Sequence, residues 1–402
     1  MNHADNPFLG QGLASTTLHP LGLEVEGGDG PWIHLKGGGK VFDGICGIGV
    51  SNFGHGHPAI TDSLQAQLDL NLHTMVYGEF IQDVQRQAAA SLRASLPAHL
   101  DSVYFVNSGA EAVDAALKLA KRLTGRTKIM GVEGGYHGNT HGALSVSSNE
   151  TRKAPFRPLL PEVSFLNWND MADLAHIDAN TAAVIVETVQ GDAGIRIPDK
   201  AWLQALANTC REHGAIFILD EIQCGMGRTG TTWAFSQFEV VPDILCMGKA
   251  LGGGMPAGAI ATCTHRMSQL AHSPSLGHIT TFGGHPMTCA GVRGAFEALE
   301  QVDMKQVETR CQHWQEALAA HRTVLQVRRI GAFMAVEMEH ADLVSQVVTA
   351  GLQPARQGET GVLMFWFLSV PHAFRLAPPL TATDQEMEDG LALVLKALDS
   401  VT

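Results

Sequence analysis

Hydrophobic and polar positions between about residues 102 and 263 alternate in the rhythm of an α/β domain. Short apolar, β-rich runs recur there between helical stretches, at 103–106, 128–132, 183–186, 216–219, 244–247 and 259–262. After the first run, apolar residues repeat with helical spacing from 110 to 123, and Gly125 ends that pattern. The alternation predicts a mostly parallel sheet with helices on both faces.

The flanking regions have different patterns. Residues 22–49 alternate short apolar pieces with Gly-rich turns, which predicts a small β-meander. Beyond His285, helical stretches at 287–299 and 304–320 precede β-like runs near 324–327, 331–338 and 362–368, and a last helix at 384–398. We therefore expect a large α/β domain at 51–290 and a smaller α+β domain formed by 1–50 and 291–402.

Composition narrows the class of protein. The chain has 402 residues, of which 45% are hydrophobic and 17% charged, as in globular proteins. No apolar run is long enough to cross a bilayer, and residues 1–10 lack the pattern of a signal peptide, so we expect a cytoplasmic protein. A formal charge of −13 disfavours non-specific nucleic-acid binding.

Cysteine and histidine patterns give no sign of a disulfide framework or a metal site. The seven cysteines include no CxxC pair, so we interpret them as reduced thiols, mostly in the core. The nineteen histidines include no HExxH or similar ligand spacing. No metal is expected.

A possible phosphate site begins at Ser108. The segment Ser108-Gly109-Ala110-Glu111 follows a predicted strand and opens a helix, and Ser108 with Glu111 matches an S-x-x-E capping box. Free N–H groups and the helix dipole at such a terminus favour a phosphate. Taken alone, the segment is better explained by an ordinary capped helix, because capping boxes are common.

An aromatic residue lies between glycines at 134–138, just after another predicted strand. The small neighbours would let a flat ring stack on Tyr136. A Gly-rich turn with a half-buried tyrosine is the alternative.

Two strand ends carry the most informative residues. The apolar strand at 216–219 leads to Asp220 and Glu221, and ligands of open α/β sheets bind at that end. Paired acids there could hold Mg²⁺, but the chain has no P-loop motif. An aspartate could instead keep a pyridine nitrogen protonated.

Lys249 follows the next predicted strand and precedes three glycines. A lysine so placed can form a Schiff base when burial and nearby cations lower its pKa, although most lysines are solvated surface residues. A phosphate cap, an aromatic platform, an acid and a lysine would all face one crevice in a doubly wound sheet. Together they meet the needs of pyridoxal phosphate.

The order and spacing of these motifs resemble the class III, or ornithine/acetylornithine/ω-amino-acid type, pyridoxal-phosphate aminotransferases of fold type I. The resemblance covers nearly the whole chain. Its motifs lie at 54–58, 107–109, 186–187, 190–191, 220–223, 248–249, 281–284 and 375–380.

The resemblance implies that Lys249 forms the internal aldimine and moves the proton during catalysis, and that Asp220 pairs with the pyridinium nitrogen. The other implied cofactor contacts are Ser108, Gly109 and Ala110 at the phosphate, Tyr136 on the ring, Gln223 at the 3′-oxygen, His137 and Glu187. Thr281 is expected to reach the phosphate of the neighbouring subunit's cofactor. A homodimer with shared active sites follows from that expectation.

Substrate recognition is implied at the C-terminal end. Arg375 resembles the arginine that binds the substrate carboxylate, and its planar fork suits bidentate binding. Asp192 would hold Arg375 aside when the substrate lacks that carboxylate. At Asn139 the chain lacks an arginine that its best-known relatives use for a distal carboxylate, so both 2-oxoglutarate and pyruvate remain candidate acceptors.

The resemblance implies transamination in two stages, with pyridoxamine phosphate carrying nitrogen from an amino-acid or ω-amine donor to a keto acid. An aminomutase or epimerase of the same fold is the closest alternative, because neither needs a second keto acid. A non-catalytic protein that binds pyridoxal phosphate is less consistent with a carboxylate-binding arginine.

Overall fold

The computed structural model describes residues 12–14, 16–17, 20–75 and 78–401. The strands are β1 (Val25–Asp29), β2 (Trp32–Leu35), β3 (Lys40–Asp43), β4 (Ser102–Val106), β5 (Lys128–Val132), β6 (Val163–Leu166), β7 (Thr181–Glu187), β8 (Ile216–Asp220), β9 (Ile244–Gly248), β10 (Gly258–Thr262), β11 (Val324–Ile330), β12 (Phe333–Met338), β13 (Thr360–Leu363), β14 (Phe365–Trp366) and β15 (Ala373–Leu376).

The α-helices are α1 (Cys46–Gly49), α2 (Pro58–Leu68), α3 (Asp83–Ala94), α4 (Gly109–Thr124), α5 (His141–Val146), α6 (Glu150–Lys153), α7 (Lys200–His213), α8 (Thr264–Met267), α9 (Pro286–Glu300), α10 (Met304–Ala319), α11 (Ala341–Arg356) and α12 (Asp384–Asp399). Short 3-10 helices lie at Ala154–Phe156, Ala172–His176, Ala234–Phe238, Lys249–Gly252 and Ser268–Leu270.

The central sheet has seven strands in the order β4-β10-β9-β8-β7-β5-β6. Strand β10 is antiparallel to both its neighbours, and all the other pairs are parallel. Every residue of β7, β8, β9 and β10 is buried, as expected for sheet strands covered on both faces. The predicted mostly parallel sheet is confirmed.

Helices cover both faces of this sheet. On one face, apolar residues of α4 such as Val113 and Leu117 pack with Ile185 and Ile218. On the other face, Trp202 of α7 belongs to the same core cluster as strand residues of β7 and β8. Because each face meets its own set of helices, the alternating strand and helix pattern produces a three-layer arrangement.

Helix α4 begins and ends where its sequence predicts, but its cap differs from the predicted capping box. Ser108 Oγ accepts a hydrogen bond from the Glu111 N–H at 3.2 Å. The Glu111 carboxylate, however, accepts from the backbone N–H of Asn107 at 2.7 Å, one residue before the helix cap. The prediction that Glu111 accepts the backbone N–H of Ser108 is therefore wrong. Glu111 accepts hydrogen bonds from Asn107 instead, including one from the Asn107 side chain at 3.0 Å.

Two smaller sheets lie outside the central one. Strands β1, β2 and β3 form the predicted meander, and β13 joins it in parallel beside β3. Strands β11, β12, β15 and β14 form an antiparallel sheet. The predicted single β-like run at 362–368 is wrong, since its two halves join different sheets on either side of Met364.

The predicted domain limits of 1–50, 51–290 and 291–402 stay a prediction, and residues 1–11 lie outside the described residues. Among the described helices, none combines the length and the apolar character needed to span a membrane.

Three ionisable residues lie at or directly after the carboxyl ends of three neighbouring strands. Glu187 ends β7, Asp220 ends β8, and the two residues pair directly in the parallel register. Lys249 directly follows β9, whose Cys246 pairs with Asp220. Three ionisable side chains thus meet at one edge of the sheet.

Candidate active site

A pocket of about 440 Å³ opens at this edge of the sheet. Its walls are Gly109, Ala110, Tyr136, His137, Gly138, Asn139, Thr140, Glu187, Asp220, Ile222, Gln223 and Lys249. A second pocket of about 180 Å³, lined by Ile48, Tyr136, Arg152, Asp192, Gln223, Lys249, Phe365, Trp366, Leu368 and Arg375, shares the residues Tyr136, Gln223 and Lys249 with it. The two pockets therefore form one crevice, which gathers most of the residues predicted from the sequence.

Asp220 lies at the bottom of the larger pocket and is 3% exposed. Its Oδ2 is 2.7 Å from Nδ1 of His137, and its Oδ1 accepts the N–H of Ile222 at 2.9 Å. Burial lowers the pKa of His137, but the hydrogen bond and negative charge of Asp220, with the charge of Glu187, raise it above its ordinary value overall. The contact thus holds the Asp220 carboxyl group and the His137 ring in a fixed relative position.

Glu187 forms another wall. One carboxylate oxygen accepts the N–H of Tyr136 at 3.0 Å and the other accepts the N–H of Gly191 at 2.9 Å. Burial raises the pKa of Glu187 to about 7, with the negative charge of Asp220 adding to the effect. Glu187 thus joins the loop after β5 to the loop after β7.

Glu221, the second acid of the Asp220-Glu221 pair, does not line the pocket. It accepts hydrogen bonds from the Thr188 hydroxyl at 2.8 Å and from the N–H groups of Ala234 and Phe235, both at 2.7 Å. Successive residues of a strand point to opposite faces, so only Asp220 of the two reaches the crevice.

Lys249 lies between the two pockets and is partly exposed to them. Its backbone has a φ of 50°, a left-handed conformation that costs a non-glycine residue roughly 1 to 3 kcal/mol. Burial lowers the pKa of Lys249, Arg375 lowers it further, and Asp220 and Glu187 oppose both effects. The strained backbone directs an amine with a reduced pKa into the crevice.

The N-terminus of α4 closes one end of the larger pocket. A side chain on Gly109 would bring its Cβ to 2.8 Å from Ile222 Cδ1, so the backbone approaches its neighbour as only glycine allows. Gly138, with a φ of 128°, packs equally closely on Ala110. Exposed backbone N–H groups at a sixteen-residue helix form a natural anion site here.

Tyr136 and Gln223 form the side walls. Tyr136 is half-buried, and burial raises its pKa while the charge of Arg152 and a hydrogen bond from Asn139 lower it. The amide nitrogen of Gln223 is buried and has no hydrogen-bond partner among the described residues. An amide donor without a partner in a polar pocket indicates an acceptor supplied by a ligand.

Arg375 lies at the far wall of the smaller pocket and is 4% exposed. Its Nη2 is 3.8 Å from Oδ1 of Asp192, and its guanidinium stacks 4.6 Å from the ring centroid of Phe367. Burial lowers the pKa of Arg375 to about 10, an effect that Asp192 opposes. The Nε of Arg375 is buried without a partner among the described residues.

Ser108 and Thr281 are the predicted site residues that line neither of the two pockets. Ser108 is the N-cap of α4, whereas Thr281 is exposed. Its neighbour Thr280 accepts a hydrogen bond from Asn107 at 3.3 Å, which ties this loop to the start of α4. Arg152 and Trp366 line the smaller pocket as well, but they lie in segments without a recognisable motif and were not predicted from the sequence.

The crevice fits pyridoxal phosphate. The orphan amide of Gln223, the carboxylate of Asp220 and the amine of Lys249 surround a space bounded at one end by the terminus of α4. These groups match a ring oxygen, a ring nitrogen, an aldehyde and a phosphate, in the arrangement expected of an enzyme that handles amines with this cofactor.

Comparison with known proteins agrees with this class. The profile of the aminotransferase class-III family matches residues 14–398. The acetylornithine aminotransferase of Methanopyrus kandleri is 36% identical, over 92% of this chain and 93% of its own length. The [LysW]-aminoadipate semialdehyde/glutamate semialdehyde transaminase of Sulfolobus acidocaldarius is 32% identical, over 94% and 95%.

A solved structure of the ornithine aminotransferase from Toxoplasma gondii, described with partial occupancy of pyridoxal phosphate at its active site, superimposes with a TM-score of 0.87. The two share 27% identity, over 97% of this chain and 93% of that one. This chain belongs to the class-III aminotransferase family. It has the type I fold of pyridoxal-phosphate enzymes and catalyses transamination with pyridoxal 5′-phosphate.

Proposed function

We propose that Lys249 binds the cofactor covalently and is the acid–base catalyst of transamination, with Asp220 at the ring nitrogen. The observation that carries this proposal is the placement of both side chains, from the ends of neighbouring strands, in one pocket of about 440 Å³. Pyridoxal phosphate, when bound, supplies an aldehyde and a ring that stabilises negative charge on the substrate carbon.

Lys249 is suited to move a proton. Burial and the positive charge of Arg375 lower its pKa, so a larger fraction of the amine is neutral near pH 7 than in solution. Neutral Nζ can take the proton from the substrate carbon that bears nitrogen, and protonated Nζ can return one. The carboxylates of Asp220 and Glu187 limit the decrease in the pKa of Lys249, because they stabilise its protonated amine.

Asp220 would hold a proton on the ring nitrogen. It is buried, and its hydrogen bonds with His137 and Ile222 fix its position. Gln223 would donate its free amide N–H to the ring oxygen, and Tyr136 would lie against the ring. Ser108, Gly109 and Ala110 would bind the phosphate at the start of α4, while His137 and Glu187 would hold the surrounding walls.

Arg375 would bind the substrate carboxylate. Its buried guanidinium keeps an unpartnered Nε, and the low polarity around Phe367 strengthens its attraction for an anion. Asp192, 3.8 Å away, would compensate the arginine's charge when a donor without that carboxylate is bound. Donors with and without a carboxylate could then use one site.

We further propose a homodimer with shared active sites. Thr281 and Phe282 are exposed on the loop tied to Asn107, and Phe282 is 57% exposed. Large apolar residues are also exposed on residues 68–81, among them Leu70 and Ile81, at 76% and 85%. Such exposure is typical of a surface that a second subunit covers. Residues 76 and 77 of this segment lie outside the described residues.

The test is a panel of amino donors followed by two acceptors. Purified enzyme with bound cofactor is mixed with glutamate, alanine, ornithine, N-acetylornithine, 4-aminobutyrate or a simple amine, and its visible absorption is recorded. N-acetylornithine is included because relatives are named for it. We expect at least one donor to change the spectrum without an acceptor, and 2-oxoglutarate or pyruvate to reverse the change.

Turnover of a single substrate with no acceptor would contradict the proposal and favour an aminomutase or epimerase. An unchanged spectrum with every donor would contradict it as well. We also propose a cytoplasmic location and a role in amino-acid metabolism. Cell fractionation tests the first, and metabolite analysis of a deletion strain tests the second.

A further inference from the structure

Among the described residues, three lysine or arginine side chains line the crevice and a further pocket beside it. Lys249 and Arg375 have roles in the proposed function. The third is Arg152, which lines the smaller pocket and also an adjoining pocket of about 490 Å³. Tyr136 lines all three pockets, so Arg152 is continuous with the reacting centre.

Arg152 is held in place but has no anionic partner. It lies in the short helix α6, is half-buried, and has its guanidinium carbon 5.4 Å from the ring centroid of Tyr136. Within the described part of the chain, its guanidinium makes no hydrogen bond or ion pair. The two other cations of this segment are satisfied: Arg157 binds Glu150 at 2.5 Å, and Lys153 donates to the Ser145 carbonyl at 3.0 Å.

Arg152 and Arg375 line the same pocket of about 180 Å³, together with Lys249. Asp192 is the one carboxylate among the described residues that line this pocket, and it lies 3.8 Å from Arg375. Three side chains that can carry positive charge, Arg152, Lys249 and Arg375, therefore face one acid, an excess of up to two positive charges. A ligand with two negative charges compensates that excess best.

The remaining walls favour a short chain between two charges. Phe365, Trp366 and Leu368 contribute apolar surface, which suits methylene groups and lowers the local dielectric constant. Asn139 is neutral and hydrogen-bonds Tyr136. Asn139 and Arg152 both line the adjoining pocket of about 490 Å³, and Arg152 supplies its guanidinium.

We propose that Arg152 binds the distal carboxylate of a dicarboxylic amino acid and of its keto acid, while Arg375 binds the carboxylate beside the reacting carbon. The inference rests on the proposed function. Glutamate and 2-oxoglutarate have the required chemistry, whereas alanine and pyruvate lack the second carboxylate. Arg152 is thus the residue that selects the dicarboxylate pair.

The test separates binding from turnover. Glutarate and butyrate carry no amino or keto group, so their dissociation constants for the enzyme with bound cofactor measure binding alone, by calorimetry. We compare the wild type with Arg152→Gln, and with Arg157→Gln as a control that removes the same charge from an exposed residue outside these pockets. Arg152→Lys tests whether charge suffices without the planar fork.

We expect the wild type to bind glutarate more tightly than butyrate. Arg152→Gln should weaken glutarate binding on the order of ten- to a hundredfold, the usual range for a charged hydrogen-bonding partner, and leave butyrate unchanged. Arg157→Gln should change neither, and Arg152→Lys should recover part of the loss. In turnover, KM for 2-oxoglutarate should rise in Arg152→Gln while the constants for pyruvate stay the same.

Equal loss for glutarate and butyrate, or glutarate binding within twofold of wild type in Arg152→Gln, would overturn the assignment of Arg152. Equal wild-type affinity for the two acids would overturn the dicarboxylate preference. These failures are distinct from failure of the proposed function, because wild-type enzyme would still exchange nitrogen with some donor in the spectroscopic panel.

Discussion

Nδ1 of His137 lies 2.7 Å from Oδ2 of Asp220, and both side chains are buried at the bottom of the crevice. The contact holds a carboxyl group in one orientation at the place where we propose that the ring nitrogen of the cofactor binds. His137 comes from the loop after β5 and Asp220 from the end of β8, so the hydrogen bond also fixes that loop to the sheet edge.

Replacing His137 with alanine should impair Asp220 without removing it. We expect kcat/KM to fall on the order of ten- to a hundredfold, the loss of one charged hydrogen bond. The pH dependence of the cofactor's visible absorption should also shift, a change that a merely structural role would not produce. His137→Asn, which restores an N–H donor, should recover part of both. An alanine variant with wild-type rate and spectrum would contradict the positioning role.

The second prediction concerns the effect of Asp192 on the choice between amine and amino-acid donors. Because its charge compensates Arg375 when no substrate carboxylate is present, Asp192→Asn should lower kcat/KM for a simple amine relative to an amino acid. The expected change in that ratio is on the order of tenfold, equivalent to about 1.4 kcal/mol. Ser369→Ala, which keeps the charge, should change it less. The same ratio in wild type and Asp192→Asn would refute the switch.

Much of the central sheet could be predicted from the sequence because four of its strands, β7 to β10, are buried at every residue. Residues 128–132 were predicted with the observed limits, and the strands at 181–187, 216–220 and 244–248 differ from prediction by no more than two residues at an end. Apolar runs of this length between helices have few alternatives. Strand β6 was missed, since its four residues lie at the sheet edge and only Leu166 is fully buried.

The site was predictable where function depends on strand ends. Asp220 and Lys249 follow apolar runs, so their meeting at one edge is a consequence of parallel strands. Sequence alone could not show that Glu111 hydrogen-bonds Asn107 instead of Ser108, because the two backbone N–H groups are adjacent in the chain. It also could not show that the run at 362–368 divides between two sheets, because that depends on strands distant in the chain. Arg152 was missed for the same reason: its importance comes from Tyr136 and the pocket beside it.

A Thr281→Ala variant tests the proposal that the two subunits share their active sites. We expect Thr281→Ala to keep the mass of a dimer but to weaken cofactor binding about tenfold, the effect of losing one hydrogen bond to a charged phosphate. The measurement combines light scattering with a cofactor titration. In wild type, a dilution series should show activity disappearing as the dimer dissociates. A fully active monomer would contradict both the dimer and the role of Thr281.

The pKa of Glu187 predicts how stability depends on pH. Burial raises this pKa to about 7 from an ordinary value of 4.5, so the folded state binds a proton more tightly than the unfolded state does. The associated stability is complete below about pH 4.5 and is lost as the pH rises through about 7.

The free energy of unfolding, measured with urea from pH 4 to 8, should therefore decrease more steeply in wild type than in Glu187→Gln. The slopes should differ by up to about 1.4 kcal/mol per pH unit. Glu221→Gln should also make the unfolding free energy less dependent on pH, because burial raises the pKa of Glu221 to about 7 as well. Parallel curves for wild type and both variants would contradict these assignments.

The most direct test of the account is Lys249→Ala, examined one half-reaction at a time. The variant should fold and bind pyridoxal phosphate at the terminus of α4, but without the absorption of the covalent link. Each half-reaction should slow by at least a factor on the order of 10² to 10⁴, the usual contribution of a positioned acid–base group. Near-normal rates in this variant, with cofactor bound, would contradict the central role of Lys249.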